Sequence, residues 1–229
     1  MRMEEKIRTE KDVWDEVKRL LGNKEIRLGQ HWSFNLYNDP KRLSFVLSRY
    51  KFAAKMSSRD RNILELGCSE GIGAPILSET AKSYTGVDMD VDAIDAAKKN
   101  LSSDKINFIL DDFLGKAYGK FDAVISLDVV EHIIPECEHA YFKTIYANLV
   151  EDGIGIVGTP NVTSSTYASL ASQTGHVNLL DEHRLRAAME NLFHIVFVFG
   201  INDEIVHTGF SPMAHYLVCI GCRKKGKIG

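Results

Sequence analysis

Residues 62–73 read NILELGCSEGIG, an apolar run that carries one acid, Glu65, and is followed by closely spaced glycines. The run from Asn62 to Leu66 has the composition of a buried strand, and helical spacing follows from about Gly71 to Thr80. Glycine suits the turn between them because it adopts positive φ and lets a ligand approach the backbone. The stretch therefore predicts the first strand–turn–helix unit of a parallel sheet, with a ligand crevice at the carboxyl end of the strand.

The same alternation of strand-like and helical stretches continues along the chain, as in βαβ units. The last two apolar runs have no helix between them, so we expect them to form an antiparallel hairpin that closes one edge of the sheet. These runs predict an α/β fold with seven strands, mostly parallel. The predicted strands are Asn62–Leu66, Ser83–Val87, Ile106–Leu110, Ala123–Leu127, Ile154–Gly158, His194–Gly200 and His215–Cys222, and the predicted helices between them are at about Gly71–Thr80, Val91–Leu101, Glu136–Leu149 and Asp181–Asn191.

The chain before Asn62 is predicted to form helix, loop and helix, over Lys11–Leu21 and Pro40–Met56. The aromatic stretch His31–Tyr37 between them is predicted to be the least regular part of the chain. We therefore expect residues 1–60 to be an N-terminal helical or lid segment and residues 61–223 to be the main ligand-binding domain. The aromatic side chains suit an acceptor pocket, and they equally suit a clasp packed on the sheet.

The composition is that of an ordinary globular protein. The 229 residues are 45% hydrophobic and 26% charged, which excludes collagen-like, disordered and coiled-coil classes. The 28 basic and 31 acidic residues give a net charge of −3. This balance disfavours bulk binding of a polyanion such as a nucleic acid.

The four cysteines are too few and too scattered for a disulfide framework, and only Cys219 and Cys222 lie close together. This pattern predicts a reducing, cytoplasmic location. The first residues are charged, unlike a secretory signal, and no window approaches the roughly 20 apolar residues of a membrane span. We therefore expect no contact with a membrane.

Acidic residues follow the second, third and fourth predicted strands, at Asp88, Asp111-Asp112-Phe113 and Asp128. Each of them alone could be a solvated strand end or a helix cap. Because the carboxyl ends of parallel strands meet at one edge, we expect these acids to line one crevice. There Asp88 could accept hydrogen bonds from ribose hydroxyls, and the segment 111–113 could meet an adenine edge.

These motifs resemble the class I S-adenosylmethionine-dependent methyltransferases over roughly Asn62 to Cys222. The family's loop reads acidic-x-Gly-x-Gly-x-Gly; Glu65, Gly67 and Gly71 match it, and Ser69 stands where the second glycine is usual. The resemblance implies a Rossmann-like sheet in three α/β/α layers. It also implies that the loop cradles the aminocarboxylate of the cofactor. The residues expected to bind S-adenosylmethionine are Glu65, Gly67, Cys68, Ser69, Gly71, Asp88, Met89, Asp111, Asp112, Phe113 and Leu127.

The charge of the loop favours this cofactor over a dinucleotide. Glu65 and Glu70 would repel a pyrophosphate. S-adenosylmethionine is cationic at sulfur and carries an ammonium group, so it tolerates the two acids.

The fourth predicted strand ends in Asp128-Val-Val-Glu-His-Ile133, and we expect the chemistry there. In a helical turn Asp128, Glu131 and His132 would share one face and could bind a divalent cation that orients a diol and lowers its pKa. His132 could instead act as a metal-free base. Asp128 and Glu131 could also simply cap a helix.

The spacing resembles the Glu-x-x-Glu-His of two metal-using branches of the family, the ubiquinone-pathway O-methyltransferases and the small-RNA 2′-O-methyltransferases. Thr159-Pro160-Asn161 resembles their Thr-Pro-Asn, and His176 follows where they place another histidine. The resemblance implies Mg²⁺ or Mn²⁺ on Asp128, Glu131, His132 and His176, although Asp128 is one methylene shorter than the usual glutamate. His176 could instead be a polar group of the acceptor pocket or a plain helix cap.

Together these features predict a methyltransferase that acts on oxygen of a small hydroxyl-bearing acceptor such as a saccharide. Two alternatives stay open: an RNA methyltransferase, and a catalytically silent cofactor-binding partner subunit. A basic patch would favour RNA, but the short basic runs are explained by solvated termini. Those runs are Lys11, Lys18, Arg19, Lys24 and Arg27 near one end and Arg223, Lys224, Lys225 and Lys227 at the other. The oligomeric state is not indicated.

Overall fold

The computed structural model describes residues 8–57 and 59–226. Its centre is an eight-stranded sheet in the order β3-β2-β1-β4-β5-β8-β6-β7. Strands β1 to β5 pair in parallel, and β8 lies antiparallel between β5 and β6. The strands are β1 Asn62–Leu66, β2 Ser83–Asp88, β3 Ile106–Leu110, β4 Phe121–Leu127, β5 Leu149–Pro160, β6 Phe193–Asn202, β7 Ile205–His207 and β8 Tyr216–Lys224.

The predicted α/β fold with an antiparallel C-terminal pair is confirmed, and all seven predicted runs are strands. The predicted strand number is wrong, because there is an eighth strand, β7. It is only three residues long and follows β6 through a tight turn in which Asp203 has φ +53°. So short a run, at the sheet edge, has too few residues to show an apolar period.

Eight helices accompany the sheet in the described residues, and the predicted three layers are confirmed. Apolar side chains of α3, α4 and α5 pack on one face of the sheet, and those of α6 and α8 pack on the other. The helices are α1 Glu10–Leu21, α2 Gln30–Asn38, α3 Lys41–Met56, α4 Ala74–Ser78, α5 Val91–Leu101, α6 Glu138–Asn148, α7 Leu170–Gly175 and α8 Glu182–Glu190.

The aromatic stretch that was expected to be irregular is helix α2. Trp32 is buried in it, whereas Phe34 and Tyr37 are largely exposed. One aromatic side chain therefore packs as a clasp and two remain available at the surface. The N-cap of α2 is Gly29, which has no side chain to cap the helix, so the sequence contains no capping residue that would predict where α2 begins.

No helix in the described ranges is long and apolar enough to cross a membrane. All four cysteines are free. Lys227, in the second basic run, lies outside the described residues, as do residues 1–7 of the expected N-terminal segment.

Candidate cofactor and acceptor site

The glycine loop lies between β1 and α4 at the carboxyl edge of the sheet. Gly67, Ser69 and Gly71 all have positive φ, at +79°, +48° and +74°. A Cβ at Gly67 would lie 2.3 Å from a methyl group of Val129, so only glycine fits there. Ser69 adopts the left-handed conformation for which glycine is the usual residue.

Asp88, at the end of β2, braces this loop. Its Oδ2 accepts the backbone N–H of Ser69 at 2.8 Å, and its Oδ1 accepts that of Asp90 at 3.0 Å. The carboxylate is partly exposed and has further lone pairs for a ligand. The acid predicted to bind ribose therefore also fixes the position of the loop.

Glu65 is completely buried below the glycine loop. One carboxylate oxygen accepts the hydroxyl of Tyr50 at 2.7 Å, and the other accepts the hydroxyl of Tyr84. Burial raises the pKa of Glu65 to about 7, although both tyrosine hydroxyls act to lower it. Sequence reasoning missed these tyrosines, since Tyr50 comes from α3 and Tyr84 from β2 and no local pattern links either of them to Glu65.

Two acidic residues were predicted to lie near the adenine of the cofactor, and they differ in whether the protein itself already binds their carboxylates. Asp111 is paired with Lys116 and accepts the hydroxyl of Tyr118 at 2.9 Å, and these contacts lower its pKa. Asp112 is exposed and accepts only the N–H of Leu114, at 3.2 Å. Of the other predicted cofactor residues, Met89 is 71% exposed, and Cys68, Phe113 and Leu127 are buried.

The carboxylate of Asp128 is held by an arginine that sequence reasoning missed. Nη1 of Arg49 lies 2.9 Å and 3.1 Å from the two oxygens of Asp128. The guanidinium of Arg49 stacks 3.7 Å above the ring of Tyr216, whose hydroxyl accepts the N–H of Asp128 at 3.2 Å. Asp128 itself has φ +57°. This clamp fixes the turn after β4.

The turn that follows, Val130–His132, is a short 3₁₀ helix with no side-chain cap. Glu131 is 1% exposed, and its Oε2 accepts the hydroxyl of Thr159 at 3.0 Å. Its Oε1 is buried and has no hydrogen-bond partner among the described residues. Burial, followed by the charge of Asp128, raises the pKa of Glu131 to about 8. A buried carboxyl oxygen without a partner is costly, which marks it as a place for a ligand.

His132 and His176 complete the cluster beside this oxygen. Nδ1 of His132 lies 2.9 Å from the carbonyl oxygen of Gly175. A carbonyl only accepts, so Nδ1 carries the proton and Nε2 is left with a free lone pair. The two imidazole rings are 5.1 Å apart, and partial burial lowers the pKa of His176. One ligand atom from each of Glu131, His132 and His176 lies within 4.8 Å of the others.

The segment 162–176 contributes Gly175 and His176 to this cluster, and hydrogen bonds hold the residues at both of its ends. The amides of Val177 and Asn178 donate to the carbonyl of Glu131 at 2.8 and 3.0 Å. The buried side chain of Asn161 donates to the carbonyls of Ser211 and Ala214 at 2.8 and 3.0 Å. A cavity of about 340 Å³ opens in this segment, lined by Ser165, Thr166, Ala168, Gln173, His176 and Leu179.

Helix α2 is attached to the glycine loop from the other side. The two oxygens of Glu70 accept the N–H groups of His31 and Trp32, at 2.8 and 3.0 Å. Burial lowers the pKa of His31, and the charges of Glu70 and Asp128 act on the same ring. The hydrogen bond from its N–H to Glu70 places His31 beside the glycine loop.

The comparison with known proteins agrees with this geometry. The family described as "Methyltransferase domain" matches residues 36–192. The ubiquinone biosynthesis O-methyltransferase of Glaesserella parasuis is 28% identical over 116 residues, 47% of this chain and 48% of its own length. The mitochondrial enzyme of that name from Arabidopsis thaliana is 27% identical over 143 residues, 57% of this chain and 44% of its own length. The chain thus spans about half the length of these curated relatives.

Solved structures show the same fold. A S-adenosylmethionine-dependent methyltransferase of Thermotoga maritima, described as a possible histamine N-methyltransferase, has a TM-score of 0.66 at 15% identity and covers 85% of this chain and 95% of its own. The N-methyltransferase NodS of Bradyrhizobium japonicum has a TM-score of 0.59 at 18% identity, covering 82% and 99%. With its glycine loop, its strand-end acids and the match over residues 36–192, the chain belongs to the methyltransferase domain family, and its fold is that of S-adenosylmethionine-dependent methyltransferases of known structure.

Proposed function

We propose that the protein transfers the methyl group of S-adenosylmethionine to an oxygen of a small hydroxyl-bearing acceptor, such as a saccharide. The observation that carries the proposal is the cluster of Glu131, His132 and His176, in which a free imidazole lone pair lies near a buried carboxyl oxygen without a partner. The cluster follows directly on β4, at the edge where the cofactor binds in this fold. A hydroxyl acceptor needs a group that removes its proton, and this cluster supplies one.

The cofactor would be bound by the residues predicted for it. The backbone of the loop at Gly67 and Gly71 would approach the aminocarboxylate, and Asp88 would accept the ribose hydroxyls. Asp112 and the buried ring of Phe113 would meet the adenine, and Asp111 would act indirectly, since its carboxylate is occupied by Lys116 and Tyr118. Glu65 would support the loop from below through Tyr50 and Tyr84, because both of its oxygens are already bound.

His132 is the residue we expect to take the acceptor proton. Its Nδ1–H is held by the carbonyl of Gly175, which fixes the ring and leaves Nε2 as an acceptor. When bound, S-adenosylmethionine would supply the methyl group and its own leaving group, since its cationic sulfur would become a neutral thioether on transfer. Nε2 of His132 would take the proton that the acceptor hydroxyl loses as its oxygen is methylated.

The same three side chains also fit a divalent cation such as Mg²⁺ or Mn²⁺. They offer one carboxyl oxygen and two imidazole nitrogens at close range, and Oε1 of Glu131 has no other partner among the described residues. Asp128, the fourth predicted ligand, is bound to Arg49 and would have to exchange that partner to take part. A bound cation would supply Lewis-acid lowering of the acceptor pKa.

The acceptor class is supported by two further observations. The two curated relatives are O-methyltransferases by name. The cavity beside His176 is lined by hydroxyl and amide side chains, Ser165, Thr166 and Gln173, which suit the hydroxyl groups of a polar acceptor.

Calorimetric titration with S-adenosylhomocysteine tests the cofactor half of the proposal, and release of that product from S-adenosylmethionine tests the acceptor half. The acceptor panel should contain methyl glycosides, a catechol, a primary amine and a short RNA, each with and without EDTA. We expect a glycoside to be methylated and the amine and RNA to be inert. Methylation of only the amine or RNA would contradict the proposal, and binding without turnover of any acceptor would favour the silent partner subunit. An unchanged rate in EDTA would exclude the cation.

A further inference from the structure

Strand β6 has an open edge. It pairs with β8 from Phe193 to Ile201, but on its other side β7 pairs only with its last three residues, Gly200–Asn202. Within the described residues, no backbone hydrogen bond joins residues 194–199 to any segment other than β8. Since alternate residues of a strand point their N–H and C=O groups to opposite sides, residues 193–199 present a row of unpaired backbone groups.

This edge lacks the features that usually keep an open strand from pairing. Residues 193–199 read FHIVFVF and contain no proline, lysine, arginine, aspartate or glutamate. Natural edge strands are commonly short, or protected by lysine, proline or a bulge. The opposite edge of the sheet follows that rule, because β3 has five residues and is bounded by Lys105 and Asp111.

Apolar side chains are exposed along the same edge. Ile195 is 37% and Phe197 is 53% exposed. Ile205 in β7 and Phe210 and Met213 just beyond it are each at least 70% exposed. Exposed apolar groups next to unpaired backbone groups indicate a surface that a further strand covers.

We propose that a second copy of this chain pairs with the edge, β6 against β6, antiparallel about a two-fold axis at Val196. In this register residues 193–199 are fully paired and Ile195 lies opposite the partner's Phe197. The strand is self-complementary because apolar residues meet apolar residues and no like charges face each other. A partner with a charged strand would find no counter-charge on this edge, which is why a second copy is favoured over an unrelated peptide.

The proposed interface leaves the catalytic crevice free. The glycine loop follows β1, and strands β4, β5 and β8 separate β1 from β6 in the sheet. Binding of S-adenosylhomocysteine should therefore be the same in monomer and dimer. It serves as a control for correct folding of every variant.

The test is the mass in solution, measured by sedimentation velocity and light scattering at micromolar concentrations. We expect the wild type to be a dimer and the double variant Ile195→Lys/Phe197→Lys to be a monomer, because it places lysine opposite lysine. The double variant Ile195→Lys/Phe197→Glu should remain a dimer, because it places lysine opposite glutamate twice. Asn107→Lys, on the exposed outer strand β3, is the matched control and should also remain a dimer.

Three results with the wild type and the β6 variants would overturn the proposal. They are a monomeric wild type, a dimeric Lys/Lys variant that still binds S-adenosylhomocysteine, and a Lys/Glu variant that is as monomeric as the Lys/Lys variant. Loss of the dimer in the Asn107→Lys control would indicate that the interface lies at the β3 edge of the sheet, and this result would also contradict the proposal. If the Lys/Lys variant does not bind S-adenosylhomocysteine, it is misfolded and the single substitution Phe197→Lys is tested in its place. We expect this single variant to be a monomer as well.

Discussion

Glu70 accepts the backbone N–H of His31 at 2.8 Å, so a side chain of the glycine loop caps a helix almost forty residues earlier in the chain. Its second oxygen accepts the N–H of Trp32. These are N–H groups that the first turn of a helix leaves without partners. A Cβ at Gly29 would lie 2.2 Å from Oε1 of Glu70, which explains the glycine at that N-cap.

Removing this cap should loosen α2 without unfolding the sheet. We expect Glu70→Ala to cost α2 about 1–2 kcal/mol, the range for loss of an N-cap. Hydrogen exchange of residues 30–38 should then be faster by roughly one order of magnitude. Glu79→Ala, at an exposed site beyond α4, is the matched control. Equal exchange of α2 in the two variants would show that Glu70 does not hold it.

The pair of Arg49 and Asp128 should be important for stability. Arg49 is 16% and Asp128 is 34% exposed, and the guanidinium also stacks on Tyr216. We expect Arg49→Ala to lower the free energy of unfolding by roughly 2–3 kcal/mol, somewhat below the value for breaking a fully buried pair.

The i, i+4 pair of Arg186 and Glu182 on helix α8 provides the comparison for that variant. Arg186→Ala should cost less than about 1 kcal/mol, because i, i+4 ion pairs along one helix contribute little. Urea unfolding of both variants gives the two numbers. Similar losses for Arg49→Ala and Arg186→Ala would contradict the role assigned to the clamp.

Glu65 should make stability depend on pH. Its pKa is about 7 in the folded protein against an ordinary value of 4.5. Between pH 4.5 and pH 7 the folded state therefore holds a proton that the unfolded state has released. The contribution of Glu65 to the free energy of unfolding should therefore fall as pH rises from about 4.5 to 7, by up to roughly 3 kcal/mol, and stay level above that. Glu65→Gln should lose this component.

The measurement is urea unfolding at pH 5 and pH 8 for the wild type, Glu65→Gln and the control Glu136→Gln, an exposed position in the turn before α6. Relative to the wild type, Glu65→Gln should have a higher free energy of unfolding at pH 8 than it has at pH 5. Parallel pH profiles for all three proteins would mean that Glu65 is ionised in the fold throughout this range.

His132 should affect the reaction and not the cofactor. With the acceptor identified in the panel, we expect His132→Ala to lower kcat by about two to four orders of magnitude, the usual contribution of a general base. The Kd for S-adenosylhomocysteine should remain unchanged, since the glycine loop is not altered. His183→Ala, exposed on α8, is the control. A variant that keeps wild-type kcat would remove His132 from the mechanism.

Seven of the eight strands could be predicted from sequence because each of them has its own apolar run and turn. Helix α2 could not, because Gly29 offers no cap and the capping carboxylate comes from Glu70. Strand β7 could not, because three residues do not establish a period. Local sequence patterns were thus enough to predict most of the strands and helices. They were not enough for α2, which depends on a contact with a distant segment, or for β7, which is too short to show a pattern.

The candidate site shows the same division. The spacing of Asp128, Glu131 and His132 predicted a cluster, and Glu131 and His132 are indeed brought together, with His176 from a separate segment. The capping box that this spacing also allowed is absent, because Asp128 is turned to Arg49 by a positive φ. Arg49 and Tyr50 carried no signal in the sequence, since their partners Asp128 and Glu65 lie 79 and 15 residues further along the chain, outside helix α3.

The segment 162–176 has its two ends joined at the sheet by the bridge between Asn161 and Leu180. Asn161 and Asn178 are 2% and 3% exposed, whereas most residues between them face solvent. Substitutions and length changes in residues 162–174, before Gly175 and His176, would therefore be absorbed without disturbing the cofactor crevice. Such a region can diversify quickly among descendants of one enzyme, and it is the natural place to exchange sequence when redirecting this scaffold to a new acceptor.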